Sequence, residues 1–164
     1  MLFGSKKPVI EKAAPIDLVS SKDRYELDKT LSDIFKKAHS EVKLLSARMD
    51  NRDFAQPASM TEANLFLCTP GASMKIIMSA EEHSKYLRHP LLELQKKHAD
   101  RAELRLMDED IAPQCSYEFM LADRKDYFYR QNFNSIGHRS SEASIIEHLN
   151  NSFDRAWELS YVPA

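Results

Sequence analysis

The sequence predicts an α/β sandwich: a mostly parallel central sheet with a C-terminal β-hairpin and helices on both faces. Three observations predict it. Apolar stripes at helical spacing alternate with short strand-like runs, in the order helix–strand–helix–strand–helix–strand. Two of the helical stretches open on capping-box patterns. Two aromatic-rich strands around a short charged turn then precede a last amphipathic helix. At 164 residues, 43% hydrophobic and 29% charged, the chain fits one domain with an ordinary core.

Residues 1–17 read as a flexible lead-in, because Lys6, Lys7, Pro8, Lys12 and Pro15 break any period. Residues 18–162 read as a single domain. Ser20 or Ser21 is placed to cap a first helix, in which Leu27, Leu31, Ile34, Phe35 and Ala38 recur on one side. Val42-Lys43-Leu44-Leu45-Ser46 follows as a strand, and 51–57 as a loop. A second helix opens at Ser59-Met60-Thr61-Glu62 and stops near Pro70-Gly71. Met74–Met78 is the next strand. Ser79-Ala80-Glu81-Glu82 starts a third helix, ending near His98, which Pro90 should kink or split.

Ala102, Leu104 and Leu106 alternate with Arg101, Glu103 and Arg105, the pattern of a half-buried strand. An acidic loop over 107–113 leads to the hairpin, with strands 116–123 and 127–130 around a turn at 124–126. A polar loop through His138 then reaches the last helix, whose stripe is Ile145 or Ile146, Leu149, Phe153, Ala156 and Trp157.

Composition excludes several functions. A net charge of −2 gives no global positive field toward nucleic acid or anionic lipid, although local basic clusters remain. The N-terminal segment lacks the apolar core of a secretory signal. The longest apolar runs fall far short of the roughly 18 residues a membrane span needs. Cys68 and Cys115 form no CxxC pair and read as small buried thiols in a reducing compartment, the cytoplasm. Glycine occurs only at Gly4, Gly71 and Gly137, which excludes phosphate-cradling glycine loops and predicts no cofactor.

Four constellations invite chemistry. His83-Ser84-Lys85 has the form HxK, yet the acid that should follow is replaced by Pro90, and the tripeptide sits on a capped helix. His83 and His89 with Glu81, Glu82 and Glu93 lack metal-ligand spacing, so no metal is expected. Glu118 and Asp123 would point to opposite faces of one strand, which argues against an acid–base pair. The basic pairs Lys36-Lys37, Lys96-Lys97 and Arg124-Lys125 read as solvated helix ends and a turn, where lysines complement the helix dipole. Base stacking on Tyr127, Phe128 and Tyr129 is the nucleic-acid alternative, and hairpin packing explains those rings more simply.

The tail carries a resemblance. Ser116-Tyr117-Glu118-Phe119-Met120-Leu121-Ala122-Asp123 has the spacing of the HxKxxxxD motif of the phospholipase D superfamily. Phe153-Asp154-Arg155-Ala156-Trp157 resembles that family's aromatic helix ending. The family's Gly-Ser-x-Asn segment would fall at Arg130–Asn134, where an Asn is present without the Gly and Ser. Leu87–Leu94, together with the tail, is also similar to a bacterial family of phospholipase D-like domains, some fused to acetyltransferases. The resemblance covers roughly 17–160 and implies a single phospholipase D-like half.

In that family the histidine attacks phosphorus and the lysine neutralises the phosphoryl oxygens. Their positions here hold Ser116 and Glu118, and only the acid is kept, as Asp123. Two unit charges about 4 Å apart interact by about 4 kcal/mol at an effective dielectric of 20, so a carboxylate in place of the ammonium turns that much attraction into repulsion. The resemblance therefore implies a non-catalytic binding or interaction module with a degenerate pocket at Ser116, Glu118, Asp123 and Asn134. A lone half would pair with a second copy or another protein. The alternatives are a divergent phosphodiesterase or nuclease using His138 or His89, and a nucleic-acid-binding module.

Overall fold

The computed structural model describes residues 14–20, 23–46, 54, 56–85, 89–108, 110–111, 117–131 and 136–164. Within them the order is β1 (Asp17–Val19), α1 (Arg24–Lys37), β2 (Glu41–Ser46), α2 (Pro57–Cys68), β3 (Ser73–Ser79) and α3 (Ala80–Lys85). Then come α4 (Pro90–Lys97), β4 (Ala102–Met107), β5 (Glu118–Ala122), β6 (Asp126–Arg130), β7 (Gly137–Ser140) and α5 (Ala143–Glu158). The strands form one sheet in the order β1-β7-β6-β5-β2-β3-β4.

The α/β class and the helices on both faces stand, and the mostly parallel sheet is corrected. Only β2–β3 and β3–β4 pair in parallel. The pairs β2–β5, β5–β6, β6–β7 and β1–β7 are antiparallel. After β4 the chain crosses the sheet and inserts β5 beside β2, so the hairpin becomes the middle of the sheet rather than its closure. Two strands lay outside the sequence reading. β7 replaces the polar loop through His138, and β1 begins one residue inside the expected lead-in and pairs with β7.

Each face has its own core. Val42, Leu44, Ile76, Met120 and Phe128 are covered by α1, α2 and α4 through Leu31, Ile34, Phe35, Phe66, Leu67 and Leu91. Leu45, Ile77, Phe119, Leu121 and Tyr127 face α5, which contributes Ile146, Leu149, Phe153 and Ala156. Lys43 is buried on this second face, where its Nζ donates to Asn150 Oδ1 at 2.8 Å and Asp154 Oδ1 at 3.0 Å of α5. A buried ammonium needs such partners.

Local signals place most element ends. Asp23, rather than Ser20 or Ser21, caps α1 by accepting from the Tyr25 and Glu26 N–H groups. α2 starts two residues before its expected capping box, with Pro57 in its first turn. Its cap comes from another helix, since Asp28 of α1 accepts from the N–H groups of Ser59 at 2.8 Å and Ala58 at 3.3 Å. At α3 the expected cap is present, with Ser79 Oγ accepting from Glu82 N–H. Pro90 splits the third helix, and His89 caps the second piece. Cys68 is exposed at the end of α2 and so corrects the buried-thiol reading; Cys115 lies outside the described residues.

Candidate functional site

Three strands bring polar side chains to one end of the sheet. In register, Ser46 (the end of β2) lies opposite Glu118 (the start of β5), and Glu118 lies opposite Arg130 (the end of β6). Directly opposed residues point to the same face, so the three side chains form a row across the sheet. Arg130 Nε donates to Glu118 Oε1 at 2.7 Å, and Ser46 Oγ donates to Glu118 Oε2 at 2.9 Å. Phe54, from the segment between β2 and α2, lies with its ring centroid 5.6 Å from the Arg130 guanidinium. Glu118 is 4% exposed, Arg130 and Phe54 1% and Ser46 0%.

That arrangement decides what Glu118 can do. Both carboxylate oxygens are engaged from within the sheet, and an aromatic ring lies against the cation beside them. A carboxylate held this way binds its own arginine rather than an incoming group. The position at which the resemblance implies a phosphate-binding lysine is thus one member of an internal ion pair.

Asp123 is elsewhere. Glu118 opens β5 and Asp123 follows its last residue, about 17 Å away at the rise of a strand, so they share no pocket. Asp123 sits in the hairpin turn with positive φ, 53°, as does Arg124 at 54°, the backbone handedness that tight hairpins favour. Its carboxylate accepts from the N–H groups of His39 at 2.7 Å, Ser40 at 2.9 Å and Glu41 at 2.8 Å, and from Ser40 Oγ at 2.9 Å. Burial pushes the Asp123 carboxyl up, but the bonds from Glu41, His39 and Ser40 outweigh it and hold the group below the usual aspartate value. The motif's acid ties the hairpin turn to the loop between α1 and β2. Ser116 and Asn134, the remaining members of the expected pocket, lie outside the described residues.

The two relocated-histidine candidates are also placed. His138 is exposed on β7, in register with Leu18 and Tyr129. Tyr129 packs into the α5-side core, so His138 faces the side of the sheet away from Glu118. His89 is buried, and its Nδ1 accepts from Leu91 N–H at 3.1 Å as a helix cap. The HxK at His83 and Lys85 lies on α3, where Lys85 pairs with Glu81 one turn away. No three His, Cys, Asp or Glu side chains among the described residues are grouped to hold a metal ion. No helix among them is long and apolar enough to cross a membrane.

Sequence reasoning missed Ser46, Phe54 and the Glu118–Arg130 pair. The pair had a signal. A hairpin centred on Arg124 places residues equally distant from it opposite one another, and Glu118 and Arg130 are each six positions away. An open groove of about 440 Å³ lies between α1, α2 and β7, lined by Lys29, Asp33, Lys36, Glu62 and Arg139 among others. Its acids and bases are intermingled and favour no single ligand charge.

Comparison with known proteins agrees with this architecture. The chain is similar in structure to NucT from Helicobacter pylori, at 13% identity and TM-score 0.61, covering 92% of this chain and 98% of that one. It is similar to Nuc from Salmonella typhimurium, a phospholipase D family member, at 10% identity and TM-score 0.64, with the same coverage. It also matches TrmBL2, an archaeal chromatin protein described as showing a novel mode of DNA binding, at 11% identity and TM-score 0.62. That match covers 97% of this chain and 57% of TrmBL2, so the chain spans little more than half of that protein. No curated protein matches in sequence. The fold is phospholipase D-like. Residues 23–163 match the profile of a domain of unknown function, DUF7931, and the chain belongs to that family.

Proposed function

We propose that this domain is a non-catalytic phospholipase D-like module that works by binding. The observation supporting this reading is the buried row of Ser46, Glu118 and Arg130 beneath Phe54. Phosphoryl transfer needs a free cation aimed at the phosphoryl oxygens and a nucleophile beside it. In this chain the lysine position is a carboxylate neutralised by its own arginine, and the histidine position is Ser116 in sequence. His138 and His89, the available substitutes, stand on the far face of the sheet and at a helix cap.

A second copy of the chain or another protein is the expected partner, and size-exclusion chromatography with light scattering distinguishes the two. The cytoplasm suits a chain with an exposed, unbridged Cys68. The deciding experiment incubates purified protein with bis-p-nitrophenyl phosphate and with plasmid DNA, with and without EDTA. The expected result is no turnover above the protein-free control. Turnover that disappears in His138→Ala or His89→Ala would overturn the proposal and establish a divergent phosphodiesterase.

A further inference from the structure

The three basic pairs, each unremarkable in sequence, are gathered by the fold at one end of the sheet. α1 ends in Lys36-Lys37 and runs directly into the start of β2; α4 ends in Lys96-Lys97 and runs into the start of β4. Strands β2, β3 and β4 are parallel, so those starts lie together. The turn carrying Arg124-Lys125 joins them, because Ala122 pairs with Val42 at the beginning of β2. All six side chains are exposed. This end is opposite to the Ser46–Glu118–Arg130 row.

A helix dipole explains lysines at the ends of α1 and α4. It does not explain a third pair in a hairpin turn. The carboxylates at this end are largely spoken for: Asp123 by four donors, Asp33 by Lys37 and Arg139, and Glu41 by Lys43 at 3.6 Å. Asp100 lies 3.9 Å from Arg101. Lys37 is paired with Asp33, and Glu103 on β4 is exposed at this end; the other five exposed cations still outnumber Glu103 and Asp100.

We infer that this basic end is a binding surface for the phosphate backbone of nucleic acid. The inference rests on the reading of the domain as a binding module and names a partner class for it, on a surface separate from the sealed row. Six cations from three separate elements suit a polymer with evenly repeated charge. Strands β5 and β4, near which the outer pairs lie, are three strand spacings apart, about 14 Å. That matches about four nucleotides at roughly 3.4 Å per step. An anionic membrane fits less well, since none of the exposed large apolar side chains lies in 36–40, 96–101 or 123–125 to insert between lipids. Contacts of this kind read charge and not sequence.

The test is fluorescence polarisation of the full chain with labelled 30-nucleotide single-stranded and double-stranded DNA of two unrelated sequences. The expected result is sequence-independent binding that weakens about 100-fold between 50 and 200 mM salt, as about four phosphate contacts require. The triple variant Lys36→Glu/Lys97→Glu/Arg124→Glu should lose at least 10-fold in affinity at 50 mM salt, whereas Lys85→Glu on α3 should match the parent. Circular dichroism checks the triple variant, and single reversals at Lys97 and Arg124 replace it if it fails to fold. Absence of binding at 50 mM salt, binding indifferent to these reversals, or binding to phosphatidylserine vesicles alone would each overturn the inference. Such a failure leaves the non-catalytic reading standing, whereas phosphodiester turnover would remove that reading without touching this surface.

Discussion

Arg130 and Glu118 face each other directly across the hairpin, Nε to Oε1 at 2.7 Å, with both side chains buried. Removing two charges from water is costly, and close pairing with further hydrogen bonds offsets the loss. Ser46 supplies one of those bonds. The pair thus holds β2, β5 and β6 in one register at this end of the sheet.

Breaking one partner leaves a buried charge alone, so Arg130→Met should destabilise the domain by about 3–5 kcal/mol. Removing both charges is different. Glu118→Leu/Arg130→Met should recover most of that loss, because an apolar pair of similar volume has no charge to desolvate. Urea denaturation of the parent and these two variants measures the recovery, and a double variant as unstable as Arg130→Met would contradict it.

Glu118→Lys restores the residue type that the phospholipase D motif has at this spacing. It also puts an ammonium against the Arg130 guanidinium in a closed space. The expected outcome is loss of stability comparable to Arg130→Met and no gain of phosphodiesterase activity, read by thermal melting and by bis-p-nitrophenyl phosphate hydrolysis.

Asp123 makes acid stability sensitive to one carboxylate. Its folded-state value is lowered, so its contribution is fully present above the ordinary aspartate value near 3.8 and is lost as pH falls through the lower, folded value. Asp123→Asn, which tolerates the positive φ and keeps an acceptor, should cost about 1–2 kcal/mol at pH 7, the difference between charge-assisted and neutral hydrogen bonds. Denaturation midpoints from pH 7 to pH 2.5 should show the two proteins converging in acid.

Much of the fold was legible because burial follows sequence period. Leu27, Leu31 and Ile34 in α1, and Leu149, Phe153 and Ala156 in α5, mark helical faces that are in fact buried. Strand neighbours were not legible. Val42, Leu44 and Leu45 say that β2 is buried on both faces, but nothing in them says that β5 lies alongside it in the opposite direction. β7, Gly-His-Arg-Ser, has no apolar alternation at all and is a strand because it pairs with Tyr127–Tyr129. At the site, the change of residue type at Glu118 was visible, whereas its neutralisation by Arg130 needed the hairpin register.

The cap of α2 by Asp28 is a tertiary contact performing a local task. Asp28→Ala should leave the Ser59 and Ala58 N–H groups without this acceptor and destabilise by about 0.5–2 kcal/mol, whereas Asp28→Asn keeps an acceptor and should cost less. Both effects are read as shifts of the urea midpoint at unchanged slope.

Gly137 tests the packing of the strand that sequence did not reveal. It opens β7, and a methyl group there would overlap Phe128 Cε2 and lie 2.6 Å from Cζ. Phe128 is 1% exposed within the core beneath α1, so its ring has little room to yield. Gly137→Ala should therefore destabilise by about 1–3 kcal/mol through overpacking. Shortening the ring separates steric conflict from any backbone effect. Phe128→Leu alone should lose stability by leaving a cavity, yet in the double variant the alanine methyl would occupy part of that space. The two changes should then be less than additive by at least about 0.5 kcal/mol. A Gly137→Ala protein as stable as the parent would mean that β7 is not seated against Phe128.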